Sequence, residues 1–315
     1  MPVFKIHHIT KYEYEKPVTE SVNEIRIFPF QSHTQEVLQH DLNITDHPDI
    51  QLFNDYWGNK TGQFTIIQSH KQLIIESKLV VRTTAPSQLQ VNFHSQFAQL
   101  QQEVSNDLVL LGLMAPDPIE NQSIIKQICN QIFDSNKSVA SVVELGSEFI
   151  FKNFKYTKGI TNIETTVDEI LEHQGGVCQD FAHVLLQILR NCGIPCRYVS
   201  GYICPNKNGM RGEGATHAWV EAWIPNYGWA GIDPTNNVWV TNNHVQLAVG
   251  RNFSDCSPIK GTFKGPSKQD LYVLVSVGYE DGHTFEETTR VKLDKQEPTE
   301  PPPLINETFE AQQQQ

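Results

Sequence analysis

One segment constrains this chain more than any other. Between Gly175-Gly176 and Gly193-Ile-Pro195, the residues Val177, Phe181, Val184, Leu185, Ile188, Leu189 and Cys192 recur at helical spacing. The paired glycines break whatever precedes them, and Gly193 followed by Pro195 is a helix stop. The pattern predicts a long buried helix with Cys178 at or within its first turn. Such a helix must be surrounded by other elements. A chain of 315 residues with 39% hydrophobic and 19% charged side chains can supply them. That length suits about two domains at roughly 100–200 residues each.

The place of Cys178 has chemical consequences. A helix N-terminus carries unpaired N–H groups and roughly half a positive charge, which stabilise a thiolate. The same groups can hold an oxyanion formed by attack on a carbonyl. Cys178 is therefore a candidate nucleophile. A packed core thiol is the competing reading, since free cysteine is among the most buried residue types.

A nucleophilic thiol needs a base, and the base needs an orienting partner. Downstream, Ala215-Thr-His-Ala-Trp-Val-Glu-Ala-Trp-Ile-Pro225 alternates like a strand. His217, Trp219, Glu221 and Trp223 share one face, and Ala218, Val220, Ala222 and Ile224 the other. Tyr227-Gly-Trp-Ala-Gly-Ile-Asp-Pro-Thr235 then reads as a turn and a second strand ending at Asp233. A short hairpin sets these strands side by side and makes an Asp233–His217 contact feasible. Alone, His217 reads as a satisfied structural histidine. The order Cys, His, Asp in these contexts reverses that reading.

The rest of the chain is organised around this stretch. Residues 1–85 read as a β-rich domain, with strands in Val3–Tyr14 and Ile25–Phe30. Phe64–Ile67 and Leu73–Val81 flank Ser69-His70-Lys71 and predict a β-hairpin, and Asp55-Tyr-Trp-Gly-Asn59 predicts a turn with an aromatic plug. Residues 86–116 are polar and Gln-rich with proline at both ends, which suits an extended connection. Residues 117–290 form the expected catalytic core: helices over Asp117–Phe154, the Cys-His-Asp stretch, and a late strand at Leu271–Tyr279. Residues 291–315, rich in Pro and Gln, lack core-forming side chains and predict a mobile tail.

These runs resemble a known family. Gly-Val-Cys-Gln-Asp-Phe-Ala-His183, Gly-Ile-Pro-Cys-Arg-Tyr-Val-Ser-Gly-Tyr202, His-Ala-Trp-Val-Glu-Ala-Trp223 and Gly-Ile-Asp-Pro-Thr-Asn236 look like bacterial transglutaminase-like proteins. Tyr12-x-Tyr14, Pro17-Val18, Ser21, Arg26, Pro29 and Asp55-x-Trp-Gly-Asn59 resemble the β-rich domain that precedes the core in that group. Val249-Gly-Arg-Asn-Phe-Ser-Asp255 resembles its C-terminal part. The resemblance implies an α+β fold, with a papain-like core in which a helix packs on an antiparallel sheet. It implies Cys178 as nucleophile, His217 as general base and acid, and Asp233 as the residue orienting His217. One departure is Cys196, where the family often has alanine; the change is small for small and touches nothing catalytic.

The implied activity is acyl transfer on amide bonds through a thioester. Hydrolysis of a peptide or protein substrate, as by a cysteine protease or amidase, is the favoured outcome. Transglutaminase or deamidase chemistry is one alternative, and a non-catalytic interaction module on the same fold is another. Asp180, in the first helical turn, complements the helix dipole and is a secondary candidate for substrate contact. Tyr156 and Trp219 are aromatic candidates for the cleft, Tyr156 also as an oxyanion donor, with core packing the alternative for both. Glu221 reads as a structural acceptor.

Several classes are disfavoured. Lys plus Arg number 24 against 36 Asp plus Glu, a net charge of −12, which argues against a phosphate-backbone binder. No run of about 18 apolar residues predicts a membrane span. The N-terminus lacks a basic region followed by an apolar run, so a cytoplasmic protein is expected, with its six cysteines kept as thiols. His173, Cys178 and His183 are spaced by five, but no C-x-x-C or H-E-x-x-H occurs. On a helix, His183 falls about 140° around from Cys178. No metal and no cofactor are expected.

Overall fold

The computed structural model describes residues 1–84, 94–134, 136–204, 210–211, 216–279 and 284–291, the last stretch by its backbone alone. Five strands come first: β1 (Val3–Ile25), β2 (Gln35–Ile44), β3 (Gln51–Asn54), β4 (Lys60–Ile66) and β5 (His70–Thr83). Helices α1 (Phe97–Val104), α2 (Leu108–Met114), α3 (Gln122–Ile132) and α4 (Val139–Asn153) follow. Next are β6 (Lys155–Tyr156), α5 (Val167–His173), β7 (Gly175–Gly176) and α6 (Cys178–Asn191). Then come β8 (Cys196–Ile203), β9 (Thr216–Ile224), β10 (Gly228–Asp233), β11 (Val238–Trp239) and β12 (His244–Gly250). The described order ends with α7 (Phe253–Cys256), β13 (Ile259–Lys264), β14 (Gln269–Tyr279) and β15 (Thr284–Val291). The fold is α+β, as the sequence led us to expect.

Strand β1 organises the N-terminal sheet. Its first part pairs with β5 and β14, and its last residues, Ser21–Ile25, pair with β4 and β13. A register irregularity between Glu13 and Val18 separates the two sets of partners. The expected hairpin around Ser69-His70-Lys71 is therefore corrected. Strand β4 lies between β1 and β3, while β5 lies between β1 and β2. A 23-residue strand offers two pairing surfaces in succession, and these take the place of the local turn.

Other expectations change too: of the strand expected at Ile25–Phe30 only Ile25 is in a strand, as the end of β1, and residues 26–30 lie outside any strand. The stretch read as extended between 86 and 116 carries α1 and α2. Asp107 caps α2 by accepting from the N–H groups of Val109 and Leu110, and Leu100, Val104, Leu110 and Leu113 are buried. The strand expected at 271–279 forms as β14, but it joins the N-terminal sheet, running from Phe4 opposite Tyr279 to Tyr14 opposite Gln269. Residues 292–315 of the expected tail lie outside the described residues.

The second layer is an antiparallel sheet in the order β11-β10-β9-β8-β12, with α6 packed on it. Phe181, Val184, Leu185, Ile188 and Leu189 of α6 are completely buried, each worth about 1.5–3 kcal/mol on removal from water. Gly193 takes φ 74° and its N–H donates to the Arg190 carbonyl, ending the helix where the sequence pattern stops. Arg190, near the same end, is buried but paired with Asp117 at 2.6 Å and with the Arg251 carbonyl at 2.6 Å.

The turn motif Asp55–Asn59 joins the two layers. Asp55 accepts from the N–H groups of Trp57 and Asn59, both at 2.9 Å, and from Arg26 at 3.1 Å. The Asn59 side chain, fully buried, donates to the Val249 carbonyl at 2.7 Å and accepts from the Val249 N–H at 2.8 Å. Trp57 packs on the small cluster of Val199, Trp219 and Val249. The aromatic plug thus seals the seam between the two sheets.

Candidate active site

Cys178 is the first residue of α6, with Val177 as its N-cap. The Phe181 N–H donates to the Val177 carbonyl at 3.1 Å. The N–H groups of Cys178 and Gln179 precede that first intrahelical bond and point away from the helix start. Asp180 is turned inward. Its Oδ2 accepts from the Val177 N–H at 2.7 Å and from the Thr161 hydroxyl at 2.6 Å. Burial raises its pKa, and these two hydrogen bonds pull it back down. A Cβ on Gly176, whose φ is 156°, would stand 2.3 Å from that same oxygen. The double glycine therefore makes room for the carboxylate that fixes the helix start.

His217 sits near the start of β9 and Asp233 at the end of β10, and the two strands pair from Gly228 opposite Ile224 to Ile232 opposite Val220. The expected hairpin is present. His217 Nε2 donates to Asp233 Oδ2 at 2.8 Å, and both side chains are fully buried. Asp233 also accepts from Asn236 Nδ2 at 2.7 Å and from the Thr235 N–H at 2.9 Å. His244 Nε2 stands 3.6 Å from the same Oδ2, too far for a hydrogen bond of good geometry.

The electrostatics follow from these partners. Burial alone lowers a histidine's pKa, but the Asp233 carboxylate and the Cys178 sulfur outweigh it and raise His217 to about 10. Burial likewise works against ionised Asp233, and the His217 charge and hydrogen bond hold it far below the carboxylate range. For His244, burial prevails over the pull of Asp233, so its pKa is lowered. Nδ1 of His217 closes no hydrogen bond of good geometry. The neighbouring Cys178 sulfur nonetheless acts on the ring in favour of its protonated form.

Cys178 and His217 both open onto a cavity of about 550 Å³, within the usual range for small-ligand sites. Gln179 and Gly201 also line it. Gly201 lies opposite His217 in the β8–β9 register, and a Cβ there would collide with the Val245 carbonyl at 2.2 Å. Of the six cysteines, Cys178 is partly exposed and the other five are buried.

The secondary candidates have other surroundings. Tyr156 packs edge-on to Phe181, 6.2 Å between ring centroids, against the core. Trp219 is buried behind His217, 6.4 Å between centroids, and edge-on to His244 at 5.2 Å. Neither borders the cavity, nor does Asp180. Glu221 pairs with Arg197 at 2.7 Å, as a structural acceptor should. His183 accepts from the Phe253 N–H at 3.2 Å. Sequence reasoning missed His244 and Asn236. Asn236 lies three residues after Asp233 within one motif, a usable signal, whereas His244 reaches the carboxylate only through the pairing of β12 with β8.

Comparison with known proteins places these features in a context. The profile of the Transglutaminase-like superfamily matches residues 126–234, and that of the Bacterial transglutaminase-like N-terminal region matches residues 4–82. The chain is 31% identical to Uncharacterized protein ML0607 of Mycobacterium leprae (strain TN), over 87% of this chain and 97% of that one. It is 34% identical to a Protein-glutamine gamma-glutamyltransferase of Pseudomonas aeruginosa, over 31% of this chain and 16% of that protein. A solved structure from Cytophaga hutchinsonii, described as a candidate cysteine protease, superposes with a TM-score of 0.69 at 20% identity. It spans 90% of this chain and 93% of its own, a likeness of fold.

Proposed function

The chain belongs to the transglutaminase-like superfamily, and from that premise we propose that it catalyses cysteine-dependent acyl transfer on amide bonds, with water as the acceptor. The observation that carries this reading is the 2.8 Å His217–Asp233 hydrogen bond in a buried pair, whose imidazole is also acted on by the Cys178 sulfur.

The mechanism assigns each residue a step. The Cys178 thiol gives its proton to His217 as its sulfur attacks the amide carbonyl, and the N–H groups at the start of α6 stabilise the oxyanion. His217, its ring fixed by Asp233, protonates the leaving amine as the C–N bond breaks. Water then attacks the thioester, giving its proton to His217, and the carboxylic acid leaves as the thiol is restored. The substrate class is a peptide or protein amide, and the reading makes the protein a cysteine protease or amidase. Six free thiols suit a reducing compartment, and we assign the protein to the cytosol.

A second reading replaces water by a lysine amine or takes a glutamine side chain as substrate. The stretch shared with the Pseudomonas aeruginosa protein favours it. The two share every step up to the thioester. A non-catalytic module would need no reactive thiol. Incubating the protein with a casein substrate, with and without a fluorescent primary amine, separates the readings. Released peptides or ammonia without amine incorporation support hydrolysis; incorporation supports transfer. Loss of both in Cys178→Ala ties the activity to the thiol, and turnover retained in that variant excludes Cys178 as the nucleophile.

A further inference from the structure

The cavity beside Cys178 is built by both layers, and its N-terminal wall has a regular origin. His8, Thr10, Tyr12 and Tyr14 of β1 border it at a spacing of two, so they share one face of the sheet. In the β1–β14 register they lie opposite Val275, Val273, Leu271 and Gln269, which border it too. From β13, Ile259 and Phe263 complete the apolar side. The N-terminal sheet thus roofs the space above the thiol.

The chemistry of the lining is one-sided. No Lys, Arg, Asp or Glu borders the cavity among the described residues. His8 is hydrogen-bonded on both ring nitrogens, to Tyr202 at 2.7 Å and Thr10 at 3.1 Å. Burial and the neighbouring charge of His7 lower its pKa to about 4, so it carries no charge near neutrality. The one cation at its edge among the described residues, His217, is already paired with Asp233 at 2.8 Å, so a charged group that reaches the β1–β14 wall loses its water without gaining a counter-ion there. An apolar group gains from each carbon it buries.

We propose that this cavity is the acyl-group subsite, and that it selects amides whose acyl side carries an uncharged, apolar chain or ring reaching the β1–β14 wall. The inference rests on the reading of Cys178 as the acylated thiol. It also assigns the N-terminal sheet a part in substrate selection, through Tyr12 of β1 and through Leu271 and Val273 of β14, which pairs with it.

A series of p-nitrophenyl esters tests it with the full-length protein. The Cys178 S–C bond forms as the ester C–O bond breaks and p-nitrophenolate leaves; water then displaces the sulfur, releasing the carboxylic acid and restoring the thiol. Acylation is followed by the nitrophenolate burst, and the adduct is located by peptide mass spectrometry. From acetyl to hexanoyl, kcat/KM should rise roughly fourfold per added methylene. Glutaryl, with a terminal carboxylate, should fall at least tenfold below pentanoyl. In Leu271→Ala the hexanoyl-to-acetyl ratio should drop severalfold, and in Leu271→Lys the glutaryl-to-pentanoyl ratio should rise. Ratios are unaffected by a partly folded fraction, so they report selection and not yield. Equal rates for acetyl, hexanoyl and glutaryl with labelled Cys178 overturn the subsite and leave the thiol chemistry standing. Absence of any Cys178 adduct overturns both.

Discussion

His217 donates to Asp233 across 2.8 Å, between two buried side chains. A buried carboxylate so close favours the imidazolium, and the Cys178 sulfur adds to that effect. Removing either neighbour should move the imidazole back toward its ordinary range. In a carbon-13 histidine NMR titration, His217 should titrate at about 10 in the wild type and lower in both Asp233→Asn and Cys178→Ala. An unchanged midpoint in Asp233→Asn would remove Asp233 as the source of the shift.

The same pair sets a pH window for stability. His217 has a folded-state pKa raised from 6.5 to about 10, so its contribution is complete below 6.5 and is lost as pH rises through 10. Asp233 is depressed, so its contribution is present above 3.8 and is lost as pH falls towards its folded value. Thermal melts should show a falling Tm between pH 7 and about 10 in the wild type. The fall should be shallower in Asp233→Asn; equal slopes would argue that other groups govern the alkaline limb.

Asn236 holds the carboxylate from the other side. Its Nδ2 donates to Asp233 Oδ2 at 2.7 Å, and a hydrogen bond to a charged group is worth about 1.5–3 kcal/mol. Asn236→Ala should lower kcat by about 10- to 100-fold, with KM changed far less. A pure KM effect would instead make Asn236 a substrate contact.

The helix start depends on Gly176. A methyl group there meets Asp180 Oδ2 at 2.3 Å, in a backbone conformation that side chains rarely adopt. Gly176→Ala should cost about 1–3 kcal/mol in denaturant unfolding and should slow alkylation of Cys178. Wild-type stability would show that the Asp180 cap can shift at no cost.

The seam between the layers has its own test. Asn59 spends both ends of its side-chain amide on the Val249 backbone in a dry environment. Asn59→Ala should destabilise the protein by about 1–3 kcal/mol for each backbone group left unsatisfied. A variant as stable as the wild type would mean that water enters the seam.

What the sequence made legible was local. The period of α6, its Gly193 stop and the β9–β10 hairpin are short-range patterns, and they carried Cys178, His217 and Asp233 into one neighbourhood. Pairings set at long range were not readable. Strand β14 alternates clearly, but nothing in it says that its partner is β1, more than 250 residues earlier. The same is true of β4 and β5, whose proximity suggests a hairpin that β1 overrides. Helices α1 and α2, of eight and seven residues, are too short for periodicity to outweigh a Gln-rich composition. The cavity wall and His244 depend on such pairings and so escaped notice.

The central claim is that Cys178 is a thiol activated by His217, and its alkylation by iodoacetamide at about pH 6 tests it most directly. Peptide mass spectrometry follows all six cysteines in the wild type and in His217→Ala. Cys178 should label far faster than the five buried cysteines, and the His217→Ala substitution should slow it markedly. Labelling of Cys178 at the rate of a free cysteine peptide, unaffected by His217→Ala, would contradict the claim.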